Sequence, residues 1–245
     1  MPDHLPSPIP NHAVASGRQT LGSHLEQSAW LGLLPVIAPG LYYAMPLEWQ
    51  AIRLVQFLPQ LLAYASFLIW LLRNHSPVER LGLARPLRSE GLRWGLRIGL
   101  ALGAINVSII LLIVPWLGYD IQFLRETPHA QAPTWLMLPW LIMLIAVGVE
   151  LNFRGFLLGR LLILAGSVPA LPSSVAQALA IGLSALVFSF DPFMVVTFRH
   201  LHWIALWDGV VWGMLRVRLQ NLYAPIVAHT VEVIVMYSVV RAVLH

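Results

Sequence analysis

The chain has 245 residues, of which 58% are hydrophobic and only 11% are charged, whereas soluble domains carry about 25% charged residues. With a mean hydropathy of +0.73, this composition excludes an ordinary soluble domain and predicts an integral membrane protein. The absence of cysteine excludes disulfides, thiolate metal sites and a cysteine nucleophile. The net charge of +4 comes from arginine, since no lysine occurs, and arginines at the ends of apolar runs favour lipid headgroups over nucleic acid.

The polar residues of the chain are concentrated at its amino-terminal end. Residues 1–28 are rich in proline, serine, histidine and asparagine, and they lack the basic start, apolar stretch and small-residue site of a cleaved signal. We expect them to form a flexible polar tail. Residues 29–245 contain no second block of soluble composition, and we predict that they form a single transmembrane domain.

Seven apolar runs follow the tail, and they predict an all-α, polytopic bundle of about seven transmembrane helices. A spanning helix needs roughly 20 apolar residues. The first run contains Pro35, Pro39 and Gly40 and the sixth is short, so both are candidates for kinked or re-entrant segments. The runs cover residues 29–46, 51–72, 94–117, 134–158, 173–190, 202–215 and 222–244.

The loop between the second and third runs is the most basic in the sequence. By the positive-inside bias this loop is cytoplasmic, which places the amino terminus in the cytoplasm and residues 118–133 on the opposite side. We therefore predict a multi-pass protein of the cell membrane with membrane lipids as its surroundings. The arginines of the loop are Arg73, Arg80, Arg85, Arg88, Arg93 and Arg97.

A few ionisable side chains lie within the apolar runs, where each costs about 2.5 to 3.5 kcal/mol on insertion scales. Glu150 and Arg154 are four residues apart and can pair on one helix face. One interpretation is a structural ion pair that makes insertion tolerable. The other is a general base, because desolvation suits the Glu150 carboxylate to abstract a proton from water, while Arg154 opposes this effect. The other ionisable side chains within the apolar runs are Asp191, Asp208, His229 and Glu232.

The last run places His229 and Glu232 on one helix face. This spacing suits either a pair of metal ligands or a histidine–glutamate hydrogen bond, and we predict no metal and no cofactor. Asp208 lies beside the pattern Gly209-x-x-x-Gly213, which lets helices approach closely. We expect Asp208 to cap or bridge helices at that point.

The stretch "FRHLHW", residues 198–203, lies at the start of the sixth run. Aromatic and histidine rings commonly occupy the membrane interface, so we interpret this stretch as structural. His202 is a reserve candidate for a catalytic histidine.

Four stretches in order, "ERLGLARP", "VELNFRGFLLGRL", "SALVFSFDP" and "DGVVWGMLRVRLQNLYAPIVAH", resemble landmarks of the CAAX prenyl protease type 2 and bacteriocin-processing family of glutamate-type intramembrane endopeptidases. The resemblance covers residues 79–240. It implies hydrolysis of a peptide bond in a membrane-associated protein or peptide. In that family a glutamate and a histidine activate water, while a histidine and an asparagine stabilise the oxyanion.

The family motifs, Glu-Glu-x-x-x-Arg, Phe-x-x-x-His and His-x-x-x-Asn, are only partly retained. Val149 and Val233 replace a glutamate and an asparagine, and Asp191 stands where a histidine is expected. The catalytic residues that the resemblance implies are Glu150 as base, Arg154 holding its helix, Asp191 orienting water or Glu150, and His229 as oxyanion donor.

Three interpretations of the function remain open at this point. The first is a divergent but active endopeptidase. The second is a catalytically inactive family member that serves as a membrane scaffold or binding protein. The third is a transporter or proton relay that uses the buried carboxylates, although the sequence shows no repeated halves of the kind common in transporters.

Overall fold

The structure is a computed structural model that describes Glu26 and residues 28–244. Within this part every regular element is helical and none is a strand, so the predicted all-α, polytopic class is confirmed. The predicted flexible tail, residues 1–28, lies outside the described residues except for Glu26 and Ser28.

The seven predicted apolar runs all form helices, and the fifth is followed by a short additional helix. A π-helical stretch, Ile109–Ile113, carries α3 onward to Trp116. The principal helices are α1 (Ala29–Tyr43), α2 (Arg53–Arg73), α3 (Arg88–Ser108), α4 (Thr134–Gly166), α5 (Ser173–Ser189), α6 (Pro192–Phe198), α7 (Ile204–Leu219) and α8 (Tyr223–Leu244). Shorter turns of helix cover Leu47–Gln50, Pro77–Arg80, Arg85–Leu87, Gln122–Glu126, Pro128–Gln131 and Arg199–Leu201.

Four of the helical segments are long and apolar enough to cross a membrane, namely α2, α3 with its flanking turns, α4 and α8. A fifth span is formed if α5 is counted together with the helical segment Pro192–Leu201, which is bent away from it by 55°. The helices from the first and sixth runs, α1 and α7, are shorter. These are the two runs for which the sequence predicted kinked or re-entrant segments.

Helices α3 and α8 pack closely because a glycine occurs at every fourth residue of α3. A Cβ added at Gly95 would lie 2.5 Å from Cβ of Val227, and one added at Gly99 would lie 2.6 Å from the carbonyl oxygen of Ala228. Gly91 and Gly103 make equivalent approaches. Small residues at this spacing let helix backbones approach in a membrane, and here they fix the position of the functional part of α8.

Helices α5 and α7 make a second close contact, which the Gly209 and Gly213 pattern predicted. A Cβ at Gly209 would lie 2.9 Å from Cβ of Ala185, and a Cβ at Gly213 would lie 3.0 Å from Cγ2 of Ile181. The close approach of helices at this pattern is therefore confirmed.

Glu26, at the end of the predicted tail, is held against the bundle. Its carboxylate pairs with Arg160 of α4 at 2.6 Å and with Arg80 at 3.2 Å, and Trp70 of α2 donates its indole N–H to it. These contacts join the segment before α1 to the carboxyl-terminal parts of α2 and α4.

The glycine contact between α3 and α8 can be tested by adding a single methyl group. We expect Gly99→Ala to lower the free energy of unfolding by about 1–3 kcal/mol, because the new Cβ would overlap the α8 backbone. Gly182→Ala in α5 is the matched control, since nothing lies within 4 Å of the added Cβ. That change should leave stability equal or slightly higher, given the better helix propensity of alanine. Unfolding in detergent would measure both, and equal stability of the two variants would contradict the packing argument.

Candidate active site

A cavity of about 530 Å³ lies between α2, α4, α7 and α8 and the segment around α6. Most of its wall is apolar. The connection between α3 and α4 contributes Arg125, Thr127 and His129 to it, and burial lowers the pKa of His129. Ionisable side chains from the spanning part also line the wall, and these are Asp191, Asp208, His229, Glu232 and Arg241.

His229, Glu150 and Arg154 form a connected buried cluster. Nδ1 of His229 lies 2.9 Å from Oε1 of Glu150, and the same carboxylate oxygen lies 3.3 Å from Nη1 of Arg154. Glu150 and Arg154 are fully buried, and His229 is 7% exposed. The pairing of Glu150 with Arg154 that the helical spacing predicted is confirmed, and the structure adds His229 as the second partner of the carboxylate.

The backbone around this cluster is π-helical rather than regular α-helix. The π-helical segment Leu151–Leu157 begins directly after Glu150 and contains Arg154. Such stretches are rare and occur frequently at functional sites. Here the segment presents Arg154 towards α5 and α7 while it remains close to Glu150.

Aromatic rings enclose the charged groups. The guanidinium carbon of Arg154 lies 4.5 Å from the ring centroid of Phe188 and 4.9 Å from that of Trp212. Trp212 also stacks on His229, with ring centroids 4.2 Å apart and planes 18° apart. Cation–π contacts are strongest where water is excluded, so the two rings stabilise Arg154, whose nitrogens have no hydrogen-bond partner among the described residues.

This geometry determines how the carboxylate can act on a molecule in the cavity. His229 lines the cavity, whereas Glu150 is not part of its wall over the described residues. Because Nδ1 of His229 is engaged by Glu150, Nε2 is the ring nitrogen that remains for water or substrate. A carboxylate that orients an imidazole in this way fixes its tautomer and stabilises its protonated form.

The neighbouring position, Val149, does face the cavity. The family motif places a glutamate there, and Val233, at the position of the expected asparagine, lines the cavity as well. Helix α4 is therefore oriented with position 149 towards the cavity. It is not rotated in a way that would place Glu150 at the cavity wall instead. Glu150 reaches the cavity only through the ring of His229.

Asp191 also lies on the cavity wall, but its hydrogen bonds are made elsewhere. Its carboxylate caps α6 by accepting the backbone N–H of Phe193 at 3.0 Å, and it accepts the side-chain amide of Gln60 at 2.8 Å. It makes no hydrogen bond to Glu150 or His229 among the described residues. A catalytic role for Asp191 remains a prediction, and helix capping explains the contacts that it makes.

A second polar cluster joins α3, α7 and α8. Nδ2 of Asn106 lies 3.1 Å from both carboxylate oxygens of Asp208 and 2.8 Å from Oε1 of Glu232. Trp207 donates its indole N–H to Oδ1 of Asn106. The prediction that Asp208 bridges helices is confirmed. Sequence reasoning missed Asn106, although an asparagine within an apolar run was a signal that could have found it.

The other candidate histidine is not part of this site. Nδ1 of His202 lies 2.6 Å from the carbonyl oxygen of Arg199, and its ring meets Phe190 edge-on. His229 is bonded to Glu150 rather than to Glu232. Over the part of the chain that the structure describes, no group of three or more histidine, cysteine, aspartate or glutamate side chains is arranged to hold a metal ion.

These features define a polytopic helical membrane protein with a buried glutamate–histidine pair beside a largely apolar cavity. Residues 131–235 match the family described as Rce1-like, type II CAAX prenyl endopeptidase. The family resemblance predicted from the sequence is thereby confirmed for this segment, which contains Glu150, Arg154, Asp191 and His229. Comparison with curated proteins and with solved structures gave no match.

The interdependence of Glu150 and Arg154 can be tested by a double-mutant cycle. We expect Glu150→Leu to lower the free energy of unfolding by roughly 3–5 kcal/mol, because it leaves a buried guanidinium without its carboxylate. Adding Arg154→Met should restore part of this loss by removing the unpaired charge. Unfolding in detergent is the measurement, with Glu48→Gln as a control at an exposed carboxylate. A double variant no more stable than Glu150→Leu alone would show that the two side chains are not coupled.

Proposed function

We propose that the protein is a membrane endopeptidase that hydrolyses a peptide bond in a membrane-associated protein or peptide. The observation that carries this proposal is the contact of 2.9 Å between Glu150 and His229 at the wall of an apolar cavity. The Rce1-like match over the same residues supports a peptidase. The cavity, at about 530 Å³, lies within the size range of small-ligand sites, so it can hold a few apolar side chains or a lipid chain.

In the proposed mechanism His229 activates the water and Glu150 acts through it. Nε2 of His229 takes a proton from a water molecule as that water attacks the substrate carbonyl carbon. The imidazolium that forms is stabilised by the Glu150 carboxylate at Nδ1. Arg154 and the rings of Phe188 and Trp212 hold the carboxylate and the imidazole in place.

This mechanism modifies the role that the family resemblance implied for Glu150. The resemblance implied that Glu150 itself abstracts the proton, but its carboxylate is separated from the cavity by the histidine ring. The pair still constitutes the general base, because the carboxylate fixes the tautomer of the imidazole and stabilises the imidazolium that forms when Nε2 takes the proton.

The proposal predicts a large loss of activity on small, isosteric changes. We expect both Glu150→Gln and His229→Gln to reduce kcat by about 10³–10⁴-fold, since either change disrupts the histidine tautomer or removes the base. The measurement is cleavage of a library of membrane-anchored peptides, prenylated and unprenylated, by protein in lipid nanodiscs. Asp191→Asn is the companion variant, because asparagine caps a helix as well as aspartate does; it should retain activity.

Two results would change this assignment. Full activity of Glu150→Gln would remove the glutamate–histidine pair from the mechanism. Loss of activity in a well-folded Asp191→Asn would show that the Asp191 carboxylate takes part in the reaction, as the family resemblance implied.

A catalytically inactive binding protein is the second candidate function, and one observation favours it. Val149 and Val233 both line the cavity at motif positions where the family has polar residues. If the chain is inactive for this reason, Val149→Glu, Asp191→His and Val233→Asn together should generate cleavage that the native protein lacks. Native cleavage that the triple variant loses would instead support a rearranged, working site.

We further propose that the protein resides in the cell membrane with its amino terminus and its arginine-rich loop in the cytoplasm. The absence of cysteine allows clean labelling at single introduced thiols. We expect a cysteine at Asp120 to react with an impermeant maleimide added outside intact cells, and a cysteine at Ser89 to react only after permeabilisation. The reverse pattern would invert the topology.

A further inference from the structure

The carboxylates of Asp208 and Glu232 form a buried pair that the proposed mechanism does not use. Nδ2 of Asn106 lies 3.1 Å from both oxygens of Asp208 and 2.8 Å from Oε1 of Glu232, so the two carboxylates lie side by side on one donor. Asp208 is 3% exposed and Glu232 is fully buried. Two carboxylates at membrane depth carry a large free-energy cost. A single carboxylate would be enough to accept the hydrogen bonds of the Asn106 amide, so that contact alone does not explain why both are present.

The pair faces the same cavity as His229. Asp208, His229 and Glu232 all line its wall. Oε2 of Glu232 is buried and has no hydrogen-bond partner among the described residues. A buried oxygen without a partner, on a residue that lines the cavity, is a position at which a proton can be accommodated.

Two carboxylates that share one donor in a buried site are not expected both to ionise, because their like charges repel strongly there. A single proton shared between them satisfies both. No arginine bonds to either carboxylate among the described residues, and the donors that reach the pair come from Asn106, which is itself held by Trp207. The charge of Arg154 acts on both carboxylates, but its ion pair is with Glu150. The amide of Asn106 carries no charge, so a shared proton is needed to neutralise the pair of carboxylates further.

We propose that Asp208 and Glu232 share one proton and that Glu232 delivers it to the leaving nitrogen of the scissile peptide bond. This inference rests on the proposed endopeptidase function and adds a general acid to it. His229 and Glu232 are three residues apart on α8, which places their Cβ atoms about 5–6 Å apart on one helix face. For a peptide group bound in the cavity, His229 can therefore act on the water that attacks the carbonyl carbon, while Glu232 acts on the peptide nitrogen.

The proton balance closes without a further reactant. Water adds its oxygen to the carbonyl carbon and gives one proton to Nε2 of His229. The C–N bond then breaks, and its electron pair takes the shared proton from Glu232 to form the amine. The proton held by His229 returns to the carboxylate pair, so the enzyme is restored and the net reaction is peptide plus water to acid plus amine.

The structure also assigns different tasks to the two carboxylates. In this proposal Glu232 donates the proton to the leaving nitrogen and is the catalytic residue. Asp208 is a positioning residue, because both of its oxygens bond to Asn106. Its proposed role is to keep the shared proton on Glu232.

The first experiment detects the shared proton and needs no substrate. Infrared difference spectra of native protein and Glu232→Gln should show a protonated carboxyl band at neutral pH in the native protein that the variant lacks. Glutamine can still accept the hydrogen bond from Asn106 through its Oε1, so we expect folding to be preserved. Glu48→Gln, at an exposed carboxylate, should leave that band unchanged. Absence of a difference for Glu232→Gln would overturn the shared proton.

The second experiment detects proton delivery by comparing a peptide with the ester analogue of the same sequence. An alcohol departs without a proton far more readily than an amine does, so the need for a general acid is smaller for the ester. We expect Glu232→Gln to reduce kcat on the peptide by about 100-fold or more, and on the ester by about tenfold or less. Asp208→Asn should show the same split, and Glu150→Gln should reduce both reactions equally.

The outcomes separate this inference from the function on which it rests. Equal losses on peptide and ester in Glu232→Gln would overturn proton delivery while leaving the endopeptidase intact. A native protein that cleaves neither substrate would overturn the endopeptidase and the delivery step together. In that case the infrared result still decides whether the pair holds a proton.

Discussion

The carboxylate of Glu150 is the charge around which the buried part of the bundle is organised. In a membrane-spanning bundle an ionised side chain needs a partner of opposite charge or a hydrogen-bond donor, and Glu150 has Arg154 on its own helix and His229 on α8. The position of α8 therefore depends on α4. The close approach of α3 to α8 at the glycines, and the rings of Phe188 and Trp212, complete the enclosure.

The same arrangement separates the charged pair from the cavity. Glu150 and Arg154 lie behind the histidine ring, while Val149, one residue earlier, faces the open space. A helix turns by about 100° per residue, so the adjacent side chains of Val149 and Glu150 point in different directions and only one of them faces the cavity. The chain thus has a general-base pair in which the histidine meets the substrate, and two apolar residues occupy cavity positions that the family pattern makes polar.

Helix α8 contributes to both polar clusters, one helical turn apart. His229 belongs to the Glu150 cluster, and Glu232 belongs to the Asn106 cluster. Asn106 can reach both carboxylates because Gly103, one turn before it on α3, brings that helix against α8. The glycines thus support the chemistry as well as the packing, since a wider separation of α3 and α8 would remove the one amide that bridges Asp208 and Glu232.

The sequence by itself determined the all-α, polytopic class of the protein, because apolar length decides which segments can span a membrane. Each of the seven runs is helical, but among the described residues four helices, or five if the bent pair is one span, are long and apolar enough to cross a membrane, rather than the seven predicted. It also determined the Glu150–Arg154 pair, since residues four apart on a helix are neighbours whatever surrounds them, and it predicted the family resemblance that is confirmed over residues 131–235. Only the tertiary structure decided that Glu150 bonds to His229, that Asp191 caps α6 and bonds to Gln60, and that Asn106 joins Asp208 to Glu232. These contacts link residues far apart in the chain, and they depend on how each helix is rotated and how closely it packs, which local spacing does not specify.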